Sequence, residues 1–94
     1  MNICELADII GRDLVITRFP NIPSQDHRFT CEFKNSETKK DEDDGLLIST
    51  YGEGRTPTAA LQDYAKKIRG KLLVLDACSS NRREIWIPAS LSAR

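Results

Sequence analysis

The stretch GEGRTPTAALQDYAKKIRGKLLVL, residues 52–75, carries the strongest structural signal in this sequence. Thr56 has a side chain suited to capping a helix N-terminus, and Pro57 fits the first helical position, where its missing N–H leaves no hydrogen bond unmade. Gly70 fits the left-handed position that closes a helix. The stretch therefore predicts a helix over residues 57–69.

The same stretch also predicts burial. The apolar and small side chains of the helix recur at helical spacing and form its inward stripe: Ala60, Leu61, Tyr64, Ala65 and Ile68. Residues 71–77 predict an apolar strand that is too continuous to expose either face. Gly52 and Gly54 predict a turn, because glycine adopts positive φ without steric cost. They do not indicate a phosphate loop, because no Gly-Lys-Ser/Thr follows.

Upstream of this stretch, the chain alternates between further elements. Residues 3–10 predict a short amphipathic helix capped by Asn2. Three strands are expected after it, over residues 13–19, 28–34 and 45–51. In the second of these, apolar side chains alternate with polar ones, which predicts one buried and one wet sheet face.

The element order predicts an α+β protein: a two-layer sandwich of order α-β-β-β-α-β(β), with an antiparallel sheet and helices on one face. With 94 residues, the chain is expected to form one domain. Residues 84–87 predict the last short strand, and residues 89–94 a flexible tail. Residues 36–44, of which seven of nine are charged, predict a solvated loop.

Charge and hydropathy exclude several classes of protein. Lys plus Arg and Asp plus Glu are both 14, so the chain as a whole is not basic. Residues 1–52 carry 6 basic and 10 acidic side chains, whereas residues 53–94 carry 8 and 4. No apolar run reaches the roughly 18 residues that cross a bilayer. We therefore expect a cytoplasmic protein with no membrane contact, and nucleic-acid binding only through a local patch.

No convergent catalytic, metal or cofactor site is expected. Cys4, Cys31 and Cys78 form no C-x-x-C pair, so they predict free thiols, with Cys31 in the core. His27 is the only histidine, and it is expected to be solvated. The sequence therefore predicts neither an enzyme nor a metalloprotein.

Two surfaces are candidates for binding another protein. An acidic cluster in the 36–44 loop predicts an electrostatic contact with a basic partner: Asp41, Glu42, Asp43 and Asp44. Trp86 predicts either a buried lid over the sheet or an exposed edge strand that pairs with another chain.

A basic patch is the alternative site, for nucleic acid, provided that the end of the long helix and the 79–83 turn lie together. Its members would be Lys66, Lys67, Arg69, Lys71, Arg82 and Arg83.

The 52–75 stretch resembles the core of HicB-type antitoxins. That resemblance implies a β-β-β-α-β partial fold related to double-stranded-RNA-binding domains. The layout that includes residues 68–74 and 80–88 is also similar to small accessory proteins of phages and prophages. It implies a non-enzymatic protein that inhibits a host anti-phage or CRISPR-type factor. The chain itself is expected to be a monomer or a homodimer. The expected partner is a host protein or a protein–nucleic-acid complex.

Overall fold

The elements of the fold follow the order expected from the sequence, except that four strands rather than three lie between the two helices. The computed structural model describes residues 1–20, 23, 25–39 and 46–93. In chain order the elements are α1 Ile3–Ile10, β1 Leu14–Arg18, a 3₁₀ turn Gln25–His27, β2 Phe29–Phe33, β3 Ser36–Lys39, β4 Gly52–Gly54, α2 Pro57–Ile68, β5 Leu72–Leu75 and β6 Arg83–Trp86.

The strands form two antiparallel sheets rather than one. The first sheet has the order β1-β2-β4 and the second the order β3-β5-β6. This mixed architecture confirms the predicted α+β class. Neither helix in the described ranges is long and apolar enough to span a membrane.

Both helices begin as the sequence predicts. Asn2 and Glu5 form a complete capping box on α1, and the Thr56 side chain accepts a hydrogen bond from the N–H of Ala59 at the start of α2. Gly11 and Gly70 follow the two helices with φ of 66° and 73°. Local capping chemistry therefore sets where each helix starts and ends.

The core lies between the helices and the inner faces of the sheets. The predicted stripe of α2 is buried, with Leu61 partly so, and it meets Cys31 and Phe33 of β2. Burial raises the pKa of the Cys31 thiol to about 11, so this cysteine is a protonated core side chain. All four residues of β5 are buried, as the prediction requires, because β5 is the central strand of the second sheet.

Gly52 and Gly54 do not form the expected positive-φ turn. They are residues of β4, which lies against α2. A Cβ added at Gly52 would collide with the Ala60 carbonyl oxygen and the Tyr64 N–H of the helix backbone. The glycines are present because the strand and helix backbones approach too closely for a side chain.

The expected third strand over 45–51 is wrong for the residues that the structure describes there. Residues 46–51 contain only an isolated bridge, between Ile48 and Thr38. The position beside β2 is taken by β4 instead, because only a strand with glycines on its inner side fits under α2.

The loop expected over 36–44 begins instead as a strand. β3 pairs along its whole length with β5, and Ser36, Thr38 and Lys39 are buried. Their polar groups find partners: the Ser36 hydroxyl donates to the Phe33 carbonyl oxygen at 2.7 Å, and Lys39 Nζ lies 3.4 Å from Glu84 Oε1. Because the buried polar side chains of β3 have hydrogen-bond partners, this polar strand can pair with the apolar strand β5.

The segment expected as a flexible tail packs on the fold through residue 93. Leu91 is buried in the core, and Ser92 forms a parallel bridge with Asn2. The N–H of Ile3 donates to the Ser92 carbonyl oxygen at 2.7 Å. Ala93 also packs against the core, so two apolar side chains and backbone hydrogen bonds to residues 1 and 3 hold this segment to the fold.

Candidate protein-binding site

The outer face of the first sheet is the wet face that the alternation in β2 predicted. Phe29, Cys31 and Phe33 point towards the core, so Thr30 and Glu32 point to the opposite face. The register places Val15 of β1 opposite Glu32, and Glu53 of β4 opposite Thr30. Side chains from three strands therefore share this face.

A groove of about 440 Å³ runs across this face. Phe19 and Tyr51, with exposed fractions of 41% and 43%, are its aromatic side chains. Its more deeply placed residues are Thr30, Glu32 and Glu53, and His27 and Ser49 complete the lining. We call this the outer-face groove. It combines two exposed rings with two half-buried carboxylates.

The two carboxylates of the groove differ in their partners. Glu53 Oε2 lies 2.8 Å from His27 Nδ1, and the Glu53 N–H donates to Asp63 Oδ2 of α2 at 2.8 Å. In the part of the chain that the structure describes, Glu32 forms no hydrogen bond and no ion pair through its side chain. The Glu32 carboxylate thus remains available to an incoming cation.

The chemistry of the outer-face groove suits a basic side chain. A carboxylate attracts an ammonium or guanidinium group, and aromatic faces stabilise the same cation through their quadrupole. Tyr51 already takes part in such a contact, because Lys67 Nζ lies 5.9 Å from its ring centroid. Among the described residues, no three His, Cys, Asp or Glu side chains come together as a metal site.

The predicted acidic cluster at Asp41, Glu42, Asp43 and Asp44 lies outside the described residues. The chain is described up to Lys39, at the end of β3, and again from Leu46. The role of the cluster in binding stays a prediction.

Trp86 lies on β6, which is an edge strand of the second sheet. Its exposed fraction is 49%, so the structure favours the edge-strand interpretation over the buried lid. The neighbouring Ile87 is the side chain that enters the core.

The structure separates the predicted basic residues into two groups. The pairing of β5 with β6 places Leu72 opposite Trp86, and Leu75 opposite Arg83. Lys71 and Arg83 therefore lie at opposite ends of the hairpin, roughly 13 Å apart along the strands, and Arg82 lies further from Lys71 still. The condition for a single patch is not met.

Several of these basic side chains also have internal partners. Lys67 pairs with Asp63 at 2.8 Å, Arg82 pairs with Glu84 at 2.8 Å, and Arg83 donates to the Ile10 carbonyl oxygen. The exposed members at the end of α2 are Lys66, Arg69 and Lys71.

Sequence reasoning missed the residues of the outer-face groove, although part of the signal was present. Alternation in β2 marks Glu32 as outward-facing. Nothing local indicates that Phe19, Tyr51 and Glu53 lie beside it, because their proximity depends on strand pairing. The His27–Glu53 contact also joins residues 26 positions apart, which a local pattern does not reveal.

Comparison of this chain with protein-family models, with curated proteins and with solved structures finds no match. The resemblances to HicB-type antitoxins and to small phage proteins stay predictions.

Proposed function

We propose that this is a non-enzymatic binding protein that recognises a basic side chain of another protein in its outer-face groove. The observation that carries the proposal is the Glu32 carboxylate, which has no partner in the described part of the chain and lies in a groove with two exposed aromatic rings. Protein interfaces favour such anchors. A charge that becomes paired and desolvated between aromatic groups contributes more to the free energy of binding than a charge at the solvent-exposed rim of the interface.

The acidic groups near Glu32 support a cation as the ligand. Glu53 adds a second carboxylate to the groove, although His27 already contacts it. The acidic cluster at residues 41–44 would add negative charge that steers a basic partner towards the protein. The partner would thus be a protein that presents an arginine or lysine from a basic surface.

The narrower form of this proposal is a phage-encoded inhibitor that blocks a host anti-phage factor by this contact. Its support is the layout that resembles small phage accessory proteins and the charge of the 41–44 cluster. A factor that binds nucleic acid exposes a basic surface, which an acidic cluster on another protein can occupy. We expect capture from a host lysate to recover a protein with such a surface.

The test is a binding titration with the recovered partner. Glu32→Lys should weaken binding at least tenfold, because it replaces the attraction with repulsion in the groove. Asp8→Lys is the matched control: Asp8 is an exposed carboxylate on α1 that no described residue pairs with, and this variant should bind like the unaltered chain. Equal affinities of the two variants would exclude the groove.

The acidic cluster is tested separately. Replacing Asp41, Glu42, Asp43 and Asp44 with Lys should abolish binding and leave the thermal melt nearly unchanged. Retained affinity would remove the cluster from the mechanism but would leave the groove proposal intact.

A second candidate function, nucleic-acid binding, is favoured by one observation. Lys66, Arg69 and Lys71 are exposed near the C-terminal end of α2, and none pairs with a carboxylate among the described residues. Such a site would bind double-stranded nucleic acid with an affinity that falls steeply with salt. A flat salt titration, or an affinity unchanged in the K66E/R69E/K71E variant, would exclude it.

A further inference from the structure

The outer-face groove continues past β4, an edge strand of the first sheet, into a second cleft of about 350 Å³. Ser49, Tyr51 and Glu53 line both the groove and this cleft, so the two form one continuous depression. Lys67 and Lys71 line only the second part, which we call the lysine cleft. A ligand that fills the outer-face groove therefore lies next to two basic side chains.

The two ends of this depression carry unpaired charges of opposite sign. Glu32, in the groove, has no hydrogen bond or ion pair through its side chain in the described part of the chain. The Lys71 ammonium group, in the lysine cleft, is exposed and likewise has no partner among the described residues. Lys67 is neutralised by Asp63 at 2.8 Å and donates to the Tyr51 carbonyl oxygen at 3.2 Å. Lys71 is therefore the cation available to a ligand at this end.

Glu53, which lies where the two parts meet, does not cancel this difference in charge. Its Oε2 atom lies 2.8 Å from Nδ1 of His27, which lines the outer-face groove but not the lysine cleft. The Glu53 carboxylate is thus held on the acidic side. Ser49 has a hydroxyl with no hydrogen-bond partner in the described ranges, so it can donate to a carboxylate of a ligand. The depression is therefore acidic at one end and basic at the other.

The span between the two ends is short. Gly52 pairs with Cys31. The preceding Tyr51 therefore lies across from Glu32, with the two Cα atoms roughly 5 Å apart. Since Lys67 Nζ lies 3.2 Å from the Tyr51 carbonyl oxygen, the lysine cleft begins within roughly 11 Å of the Glu32 Cα atom. Alternate side chains of an extended chain lie on one side, about 7 Å apart, so a basic and an acidic side chain two positions apart match this span.

We infer that the groove binds an extended segment of the partner protein in which a basic and an acidic residue lie two positions apart. The basic side chain contacts Glu32, beside the rings of Phe19 and Tyr51, and the acidic side chain contacts Lys71. The inference rests on the proposed function, to which it adds a second anchor of opposite charge. It also gives specificity, because a second basic side chain at this position would meet Lys71 and be repelled.

NMR titration of the full chain with short peptides tests the inference. The bipolar probes, which present both charges in either chain direction, are acetyl-Ala-Arg-Ala-Glu-Ala-amide and acetyl-Ala-Glu-Ala-Arg-Ala-amide. The cation-only probes replace Glu with Gln in each. At least one bipolar probe should bind at least tenfold more tightly than its cation-only counterpart, because only the bipolar probe contacts Lys71. Equal affinities within both pairs would overturn the inference.

Charge reversal in the lysine cleft tests the second contact. Lys71→Glu should weaken binding of the preferred bipolar probe at least tenfold and should leave the cation-only probe bound at least as tightly as before. Lys66→Glu is the matched control, because Lys66 is an exposed, unpaired lysine near the end of α2 that lines neither part of the depression. This control should keep the preference for the bipolar probe. Equal loss in the two variants would contradict a contact at Lys71.

Glu32→Lys separates failure of the inference from failure of the proposed function. If this variant loses the cation-only probe while Lys71→Glu changes nothing, the groove takes a basic side chain and only the inference fails. If no arginine-bearing probe binds, or if Glu32→Lys binds every probe unchanged, the proposed function fails as well. A probe with a free terminal carboxylate, acetyl-Ala-Arg, that binds more tightly than both bipolar probes would overturn the acidic side chain and assign the lysine cleft to a chain terminus.

Discussion

The hydroxyl of Tyr64 accepts a hydrogen bond from the backbone N–H of Phe33, with an N···O distance of 3.0 Å. This N–H points to the side of β2 where β4 would continue, but β4 extends no further than Gly52, which pairs with Cys31. The buried phenol therefore takes the place of a strand carbonyl. The two rings also meet edge to face, with centroids 5.7 Å apart.

Tyr64→Phe should lower the free energy of unfolding by about 1–3 kcal/mol, because it leaves the Phe33 N–H buried without an acceptor. The same change at Tyr51, whose ring lies at the surface, is the control and should leave the urea midpoint nearly unchanged. An equal midpoint for the two variants would show that the Phe33 N–H finds another acceptor.

Gly52→Ala should be among the most destabilising single substitutions in this chain. The new methyl group would collide with backbone atoms of α2, which cannot move aside as a flexible side chain can. We expect a loss above about 3 kcal/mol or failure to fold. Gly70→Ala meets open space but keeps a positive φ, so its loss should be about 1–2 kcal/mol by urea denaturation. The reverse ranking would contradict the close approach of β4 to α2.

Asp76 should make stability depend on pH in the acid range. Its bidentate hydrogen bonds to the Arg12 guanidinium, at 2.7 and 3.0 Å, lower the pKa of this carboxyl below its ordinary value. The contribution of the Asp76–Arg12 ion pair to the free energy of unfolding is therefore fully present above the unfolded-state pKa of Asp, about 3.9. It is lost as pH falls through the lower folded-state pKa.

The comparison that isolates this effect is Asp76→Asn, because Asn tolerates the positive φ of 53° at this position. The stability difference between the unaltered chain and this variant should be constant from pH 5 to 7 and shrink below about pH 4, when followed by urea denaturation at each pH. A difference independent of pH would mean that the ion pair does not stabilise the fold.

Leu91→Ala should destabilise the fold by about 2–5 kcal/mol, since it removes a buried side chain from the core. The control is Ile9→Ala, on the exposed side of α1 with an exposed fraction of 66%, which should change stability by less than about 0.5 kcal/mol. A silent Leu91→Ala would instead support the expectation of a flexible C-terminal tail.

Elements that rest on local chemistry were predicted well. The capping residues Asn2 and Thr56 and the helix-ending Gly70 mark their helices without reference to the rest of the chain. The alternation in β2 likewise indicates a sheet face exposed to solvent. The continuous apolar run of β5 indicates a central strand. In each case the signal lies within one element.

The errors occur where a residue's role depends on a distant segment. The local sequence indicates a turn at Gly54, because nothing in it shows that the α2 backbone lies against this residue. The local sequence indicates a loop at Thr38 and Lys39, because their hydrogen-bond partners, Thr50 and Glu84, are 12 and 45 positions away.

By itself the sequence determined the α+β class, the helix boundaries and the polar outward set of β2, since capping, glycine conformation and side-chain periodicity act over a few residues. Only the tertiary structure decided that the strands divide into two sheets, that Glu32 and Glu53 share one groove, and that the basic residues separate. Strand pairing joins segments far apart in the chain, and its register depends on which surfaces fit together when the core closes.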